Sequence, residues 1–168
     1  TSAFSGENSV KFIGFSSDSS ITKVQIVKFS YLWHNFEPLI LSEGEAVNGR
    51  FELEFEDERP DVVSVVILGR TTDLYVSPGD SIYFQIEPGK NGAEIRFIGD
   101  SERKHNYYSL SDEFVNSNVG TPRFSEYKDL SLFRNAVDEW FELKMSFLNS
   151  NYSSEAPDFL EYWRNEIS

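Results

Sequence analysis

Apolar and polar residues alternate along most of the first hundred positions, with the period of two that β-strands show. The clearest case is Arg50–Glu56, where Phe51, Leu53 and Phe55 alternate with glutamates. Further strand patterns cover residues 10–15, 23–31, 45–47, 62–68, 74–76, 82–86 and 94–97. Turn-forming residues separate these patterns, which predicts an antiparallel β-sandwich or curled barrel of about eight strands.

The sequence Asn48-Gly49 stands between two of these patterns. A two-residue Asn-Gly loop is typical of a type I′ hairpin, because both positions need a positive φ. The apolar residues before Gly44 fall out of phase with Phe51 across this turn. We therefore expect a hairpin at Asn48-Gly49 with a β-bulge at Gly44.

A second turn, Pro78-Gly79 followed by Asp80, has the residue order of a type II turn. It predicts a hairpin at the centre of the β-rich half. On one strand Leu74 and Val76 share a face, and on the next the shared face is formed by Ile82, Phe84 and Ile86. After a further turn at residues 88–92, Ile95 and Phe97 continue that apolar face.

Residues 62–68 are apolar on both faces. A run of this kind suits either an inner strand covered on both sides or a short buried helix. The run is short, rich in β-branched residues and followed by Gly69, which favours the strand.

After Gly99 the period becomes helical. Ser101 is a candidate N-cap for a helix with a stripe of Tyr107, Leu110 and Phe114. A longer amphipathic pattern covers 124–148, with Leu130, Phe133, Val137, Trp140, Phe141 and Leu148, before a polar loop at 149–154. A last helix begins near Pro157 and carries Phe159, Leu160, Trp163 and Ile167.

These patterns predict an α+β protein that is mainly β. Residues 1–99 form the antiparallel β-sandwich, and residues 100–168 form two or three helices that pack on it or link to a missing downstream module. The only methionine is Met145, and the chain begins at Thr1. We therefore expect the true N-terminus to be missing, either as a cleaved signal peptide or because the chain is a piece of a longer protein. Because the last pattern reaches Ser168 without a stop signal, we expect the natural chain to continue.

The chain has 28 acidic and 15 basic residues and a formal net charge of −13. Such a charge disfavours nucleic acid and anionic membranes as partners. It is typical of a solvated surface, with a docking face for a basic partner as the alternative. The absence of cysteine excludes thiol chemistry, thiolate metal sites and disulfides in this chain.

No catalytic constellation is recognisable. His34 and His105 lack partners at metal-ligand spacing, and no serine lies in a nucleophile motif. We expect no catalytic residue, metal or cofactor, and no activity of the chain alone. A hydrolase that uses two of the many acids is the enzyme alternative, since such pairs are defined in space. Tyr31 and Trp33 are candidates for an aromatic platform that stacks on sugars.

An ordered set of motifs resembles a known family. It consists of Asn48-Gly49-Arg50-Phe51, then 74–82 (Leu-Tyr-Val-Ser-Pro-Gly-Asp-Ser-Ile), then Phe97-Ile98-Gly99 and Asn106-Tyr107-Tyr108. The family is the N-terminal domain that precedes the thioredoxin-like module in extracytoplasmic bacterial thiol:disulfide oxidoreductases. In that family the redox Cys-x-x-Cys belongs to the thioredoxin-like module, so no catalytic residue carries over. The chain is then either an excised N-terminal fragment or a stand-alone relative that never had the redox module. The turn residues that match, all structural, are Asn48, Gly49, Pro78, Gly79, Asp80, Gly99 and Asn106.

The resemblance implies a location in the periplasm or cell envelope, with a lipid anchor at a removed N-terminus. It implies a non-catalytic accessory domain that positions a redox module, docks a partner protein or forms a homo-oligomer. Such a domain should expose an apolar patch on the sandwich or on the last helix. An envelope module that binds carbohydrate or peptide is the alternative.

Overall fold

The computed structural model describes residues 8–29, 38–89, 92–99 and 102–167. The chain divides into two compact units, one ending at Asn106 and the other beginning at Tyr107. The first unit contains strands β1 (Ser9–Ser16), β2 (Lys23–Lys28), β3 (Leu39–Glu45), β4 (Arg50–Glu56), β5 (Asp61–Ile67), β6 (Arg70–Val76), β7 (Ser81–Gly89) and β8 (Gly92–Ile98), then the short helix α1 (Glu102–His105). The second contains α2 (Tyr107–Asn118), a 3₁₀ turn (Phe124–Glu126), α3 (Leu130–Asn151) and α4 (Pro157–Ile167).

The strands form two four-stranded sheets with the orders β4-β1-β7-β8 and β3-β2-β5-β6, which we call sheet A and sheet B. The inward faces of both sheets build one apolar core. The predicted mainly-β α+β sandwich with C-terminal helices is therefore confirmed. One detail departs from the antiparallel prediction, because β1 and β7 pair in parallel.

Alternation of side chains decides which face of each strand is buried. In β4, Phe51, Leu53 and Phe55 are buried while Glu52 and Glu56 are exposed. Burying one such aromatic side chain contributes roughly 1.5–3 kcal/mol.

The prediction for β5 also holds, because it is an inner strand of sheet B whose Val63 and Val65 enter the core. Its outward Ser64 is buried beside Asp73, to which it donates a hydrogen bond.

The turn at Asn48-Gly49 is formed, but the hairpin predicted around it is wrong. Both residues have positive φ, 55° and 74°, and Val47 and Arg50 exchange two backbone hydrogen bonds of 2.9 and 3.1 Å. Beyond that bridge β3 pairs with β2, and β4 pairs with β1 in the other sheet. A turn sequence specifies the conformation of its own residues and leaves the partners of the flanking strands open.

The β-bulge predicted at Gly44 is displaced. Gly44 pairs regularly with Val24, and the register of β2 and β3 shifts instead between Ile26 and Val27, where Leu41 is the extra residue. The bulge turns Leu41 toward the core. A Cβ at Gly44 would lie 3.2 Å from the carbonyl oxygen of Glu52, so the glycine permits β3 to approach β4 closely.

The second predicted hairpin is also wrong, although its turn is formed. Gly79 has φ 83°, and the Asp80 amide donates to the Ser77 carbonyl oxygen at 3.1 Å. However, β6 pairs with β5, whereas β7 pairs with β1 and β8. The turn therefore carries the chain from sheet B to sheet A.

The predicted faces around this turn are confirmed. Leu74 and Val76 enter the core from one sheet, and Ile82, Phe84 and Ile86 enter it from the other. The β7–β8 hairpin is confirmed as well, since Gly89 pairs with Gly92 and Phe97 is buried in the core.

In the second unit, the predicted helices form but the buried stripe of α2 differs. Tyr107, Ser111 and Val115 are buried, whereas Leu110 and Phe114 are exposed. The predicted N-cap Ser101 lies outside the described residues. Helix α3 extends through part of the predicted loop to Asn151, and the Asp129 side chain caps its start by accepting from the Leu132 amide at 3.0 Å.

Helix α4 agrees with its prediction, since Phe159, Trp163 and Ile167 are buried. The centre of this unit is aromatic. The ring of Tyr107 contacts those of Tyr152, Phe159 and Trp163, with centroids 4.6–5.5 Å apart. Edge-to-face and tilted contacts of this kind stabilise a core beyond simple burial.

Candidate functional site

An open groove of about 680 Å³ lies at the Asn48-Gly49 turn. We call it the corner groove, and its lining residues are Phe15, Glu45, Val47, Asn48, Arg50 and Glu52. These come from the end of β1, the end of β3, the turn and the start of β4. The groove therefore exists because the chain changes sheets at this turn.

Two apolar side chains face solvent in the corner groove. The alternation of β1 places Phe12 in the core and Phe15 on the outward side, where 39% of it is exposed. Val47, next to the turn, is 70% exposed. Neither side chain belongs to the apolar core. The packing of the sandwich therefore does not explain why these two apolar residues stand where they do.

Charged side chains line the corner groove around these apolar residues. The Arg50 guanidinium lies 5.7 Å from the centre of the Phe15 ring, and its Nη2 is 2.5 Å from Glu52 Oε1. Such an exposed ion pair contributes little stability but orients the arginine. Glu45 adds a second carboxylate. Glu52 is exposed and held by an arginine, so the groove does not enclose a pair of carboxyl groups as a glycosidase cleft does.

A smaller groove of about 320 Å³ follows the same side of the sandwich and is lined by Leu41, Glu54, Phe55 and Glu56. It repeats the composition of the corner groove, with apolar residues between glutamates. Both grooves run along β4, whose free edge is partly covered by β3. The Glu54 amide donates to Ser42 Oγ at 3.3 Å across this edge.

The outer face of sheet A, next to the corner groove, carries further exposed aromatic residues. Phe15 on β1 lies opposite Gln85 on β7, and Ile13 lies opposite Tyr83. Tyr83 is 42% exposed. Two exposed aromatic rings therefore lie on adjacent strands of one sheet face.

The other side of the sandwich, between β6 and β8, carries a buried polar cluster around α1. Its residues are Tyr75, Ser77, Asp80, Lys104 and His105. Asp80 Oδ2 accepts from the Ser77 amide at 2.7 Å and from Lys104 Nζ at 2.8 Å. The hydroxyl groups of Ser77 and Tyr75 are 3.1 Å apart. The cluster attaches α1 to the turn that joins the two sheets.

His105 is almost fully buried in this cluster. Its Nδ1 lies 2.9 Å from the Tyr75 carbonyl oxygen, which can only accept, so Nδ1 carries the hydrogen. Burial lowers the pKa of His105 below its ordinary value; the nearby Lys104 charge acts in the same direction, against the Tyr75 hydrogen bond and the Asp80 charge. The neutral imidazole thus serves as a structural contact, and its ring also packs against Phe97 at 5.9 Å.

The residues singled out in the sequence lie in different parts of the structure. Asn48 and Gly49 form the turn of the corner groove. Asp80 belongs to the buried polar cluster, Pro78 and Gly79 form the turn beside it, and the nearby Gly99 carbonyl accepts from the Glu102 amide at 3.1 Å. Asn106 separates α1 from α2. Tyr31 and Trp33 lie outside the described residues.

Phe15, Val47 and Tyr83 were missed as binding candidates. The available signal was an apolar residue at an outward position of a strand, such as Phe15 three positions after buried Phe12. On the sandwich, Phe15 and Val47 are exposed at the corner groove. The last helix is different, because its apolar residues Phe159, Trp163 and Ile167 are buried.

The described ranges contain no group of three or more His, Asp or Glu side chains arranged to hold a metal ion. None of the helices in the described part of the chain has both the length and the apolar character that a membrane span requires.

No protein-family model matches the chain, and no curated protein matches it either. Among solved structures, the chain is similar to the crystal structure of a provisionally named cell adhesion protein from Bacteroides fragilis NCTC 9343. The sequence identity is 9% and the TM-score is 0.30. The match covers 56% of this chain and 46% of the other, less than half of that protein's length.

Proposed function

We propose that this chain is a non-catalytic interaction domain that docks a partner protein through the corner groove. The observation that carries the proposal is the exposure of Phe15 and Val47 between glutamates in one open groove. Apolar side chains gathered in a groove with a polar rim are the usual composition of a protein-binding surface.

The charge of the groove indicates the chemistry of the partner. Glu45 and Glu52 line it, and the whole chain carries a formal net charge of −13. A complementary segment presents an apolar side chain that contacts Phe15 and Val47, next to a Lys or Arg side chain that reaches the glutamates.

The motif resemblance supports a larger protein and a cellular location in which this docking would take place. In that setting the chain is the accessory domain of an extracytoplasmic thiol:disulfide oxidoreductase-like protein, held in the periplasm or envelope by a lipid anchor. Because the chain has no cysteine, the redox centre belongs to an attached module or to the partner. Reading the gene past the codon for Ser168 tests this setting: a thioredoxin-like module with Cys-x-x-Cys supports it, and a stop codon or an unrelated module contradicts it.

The docking function is tested by selecting a random peptide library displayed on phage against the chain. We expect enriched peptides to combine an apolar residue with Lys or Arg and to lose binding to Val47→Asp. A matched control is Leu68→Asp, which changes another exposed apolar residue, on the β5–β6 turn away from the groove. Peptides that bind both variants as well as the parent chain would place the site elsewhere.

A second function is favoured by the aromatic residues on sheet A. Phe15 and Tyr83 lie on adjacent strands, the arrangement in which β-sandwich modules stack on sugar rings. The same chain applied to a glycan array distinguishes the two functions. Glycan binding that Tyr83→Ala abolishes, together with an unproductive peptide selection, favours the carbohydrate-binding module.

A further inference from the structure

Strand β8 forms one edge of sheet A. In the described ranges it pairs with β7 and with no other strand. At its two ends, the Arg70 side chain lies beside Gly92, and the His105 ring contacts the inward-facing Phe97 ring. A strand with an unpaired edge offers a row of backbone donors and acceptors to another strand.

The position of Pro88 shows which backbone groups of β8 point to this edge. Antiparallel pairs alternate between those that exchange two hydrogen bonds and those that exchange none. Pro88 has no amide hydrogen, so its pair with Ala93 is of the second kind. The amide and carbonyl groups of Ala93, Ile95 and Phe97 therefore point away from β7, and no hydrogen bond joins them to another described residue.

The outward side chains of β8 carry opposite charges two residues apart. Glu94 and Arg96 are exposed on the outer face of sheet A, while Ile95 between them turns toward the core. Neither charge forms an ion pair within the described residues. Glu94 instead lies opposite Glu87 of β7, and like charges in this position are unfavourable.

A second copy of β8 in antiparallel orientation complements both the backbone edge and the charges. With a twofold axis at Ile95, the two Ile95 residues exchange a pair of backbone hydrogen bonds, and Ala93 of each copy pairs with Phe97 of the other. Glu94 of each copy then lies opposite Arg96 of the other on the outer face. The whole strand from residue 92 to 98 is paired in this register.

Other antiparallel registers lack this match. A slip by one residue would place inward side chains opposite outward ones. A slip by two residues would place Glu94 opposite Glu94, or Arg96 opposite Arg96. The charges of β8 therefore select the register centred on Ile95.

We propose that two copies of the chain form a homodimer through β8, so that their two A sheets join into one continuous sheet. The corner groove lies toward β4, the opposite edge of sheet A, so dimerisation and docking at the groove are independent. Two paired seven-residue strands form a small interface, which makes the dimer a weak one.

Sedimentation equilibrium of the intact chain tests the proposal, with an expected dissociation constant of roughly 10–100 µM. Glu94→Arg should raise this constant about tenfold, because it replaces two ion pairs with two like-charge contacts. Glu87→Arg is the matched control, since it makes the same charge change and relieves the same Glu87–Glu94 contact one strand away from the edge. The double variant Glu94→Arg with Arg96→Glu should restore the parent constant, because the pair is reversed on both copies.

The absence of native cysteine permits a test of the register. The chains carrying Glu94→Cys and Arg96→Cys are oxidised separately and then as a mixture. In the proposed register these two positions lie directly opposite each other, so disulfide-linked dimers should form mainly in the mixture. A chain that is monomeric at about 1 mM, equal effects of Glu94→Arg and Glu87→Arg, or cross-linking within each chain alone would each overturn the proposal.

Discussion

The ring of Phe84 lies over Gly14, so close that a Cβ on Gly14 would stand 2.2 Å from the ring Cζ. The two residues are partners in the parallel ladder of β1 and β7. Gly14 also pairs with Phe51 on its other side. The glycine thus gives the aromatic ring of its neighbour the space that a side chain would fill.

Gly14→Ala should destabilise the sandwich by about 1–3 kcal/mol, because the ring must leave its position in the core. The measurement is the free energy of unfolding in urea. Phe84→Leu in the same chain should make the alanine less costly than in the parent, since the smaller side chain relieves the overlap. A loss at Gly14→Ala that Phe84→Leu does not reduce would contradict the close contact.

His105 should make the stability of the chain depend on pH. Its pKa in the folded state lies below the ordinary 6.5, mainly because it is buried, so between the two values the unfolded chain binds more protons. Stability contributed by this group is therefore complete above pH 6.5 and is lost as pH falls below it, by at most about 1.4 kcal/mol per pH unit. Urea unfolding at several pH values checks the slope, and an NMR titration of the imidazole checks the pKa. His105→Gln should flatten the slope near pH 6, and a pKa above 6.5 would reverse the expected sign.

Asp80 both caps the turn at Ser77 and pairs with Lys104, and the two roles can be separated. Asp80→Asn keeps an oxygen that accepts from the Ser77 amide but loses the charge that faces Lys104. We expect it to cost about 1–2 kcal/mol, and Asp80→Ala to cost about 1 kcal/mol more. Thermal unfolding of the three chains gives the order. If the two variants have the same stability, the amide hydrogen bond contributes nothing.

The Tyr107 hydroxyl is buried in the aromatic centre of the helical unit, and this burial raises the pKa of the phenol far above its usual range. The Ser111 hydroxyl, one turn away, donates to the Tyr108 carbonyl at 3.0 Å. Tyr107→Phe should therefore leave stability unchanged or raise it by up to about 1 kcal/mol, because it removes a desolvated polar group without creating a cavity. Tyr107→Leu keeps apolar bulk but removes the ring and should lower the melting temperature. A large loss in the phenylalanine variant would show that the hydroxyl has a strong partner.

The candidate site was only partly predictable. Asn48 and Gly49 were identified because their turn conformation is a property of adjacent residues. Phe15 and Val47 join them in one groove only because β1 and the end of β3 meet beside this turn. Neither the pairing of β1 with β4 nor that of β2 with β3 leaves a sign in the local pattern.

The apolar pattern predicted for residues 124–148, most of which form α3, illustrates the opposite case. Its helical spacing is visible in the sequence, and the helix forms as predicted. Whether an apolar stripe is buried depends on which other helices reach it, and α2 and α4 contact mainly the C-terminal half. The exposure of Leu130 was therefore beyond what periodicity can indicate.

By itself, the sequence determined the strands and helices, the inward face of most strands and the two turns, because each of these depends on φ, ψ and side-chain period within a few residues. Only the tertiary structure decided that both turns connect different sheets, that β1 and β7 are parallel, and which apolar residues stay outside the core. Those outcomes depend on contacts between distant segments, whose free energies are set by the packing of the whole sandwich and not by any local pattern.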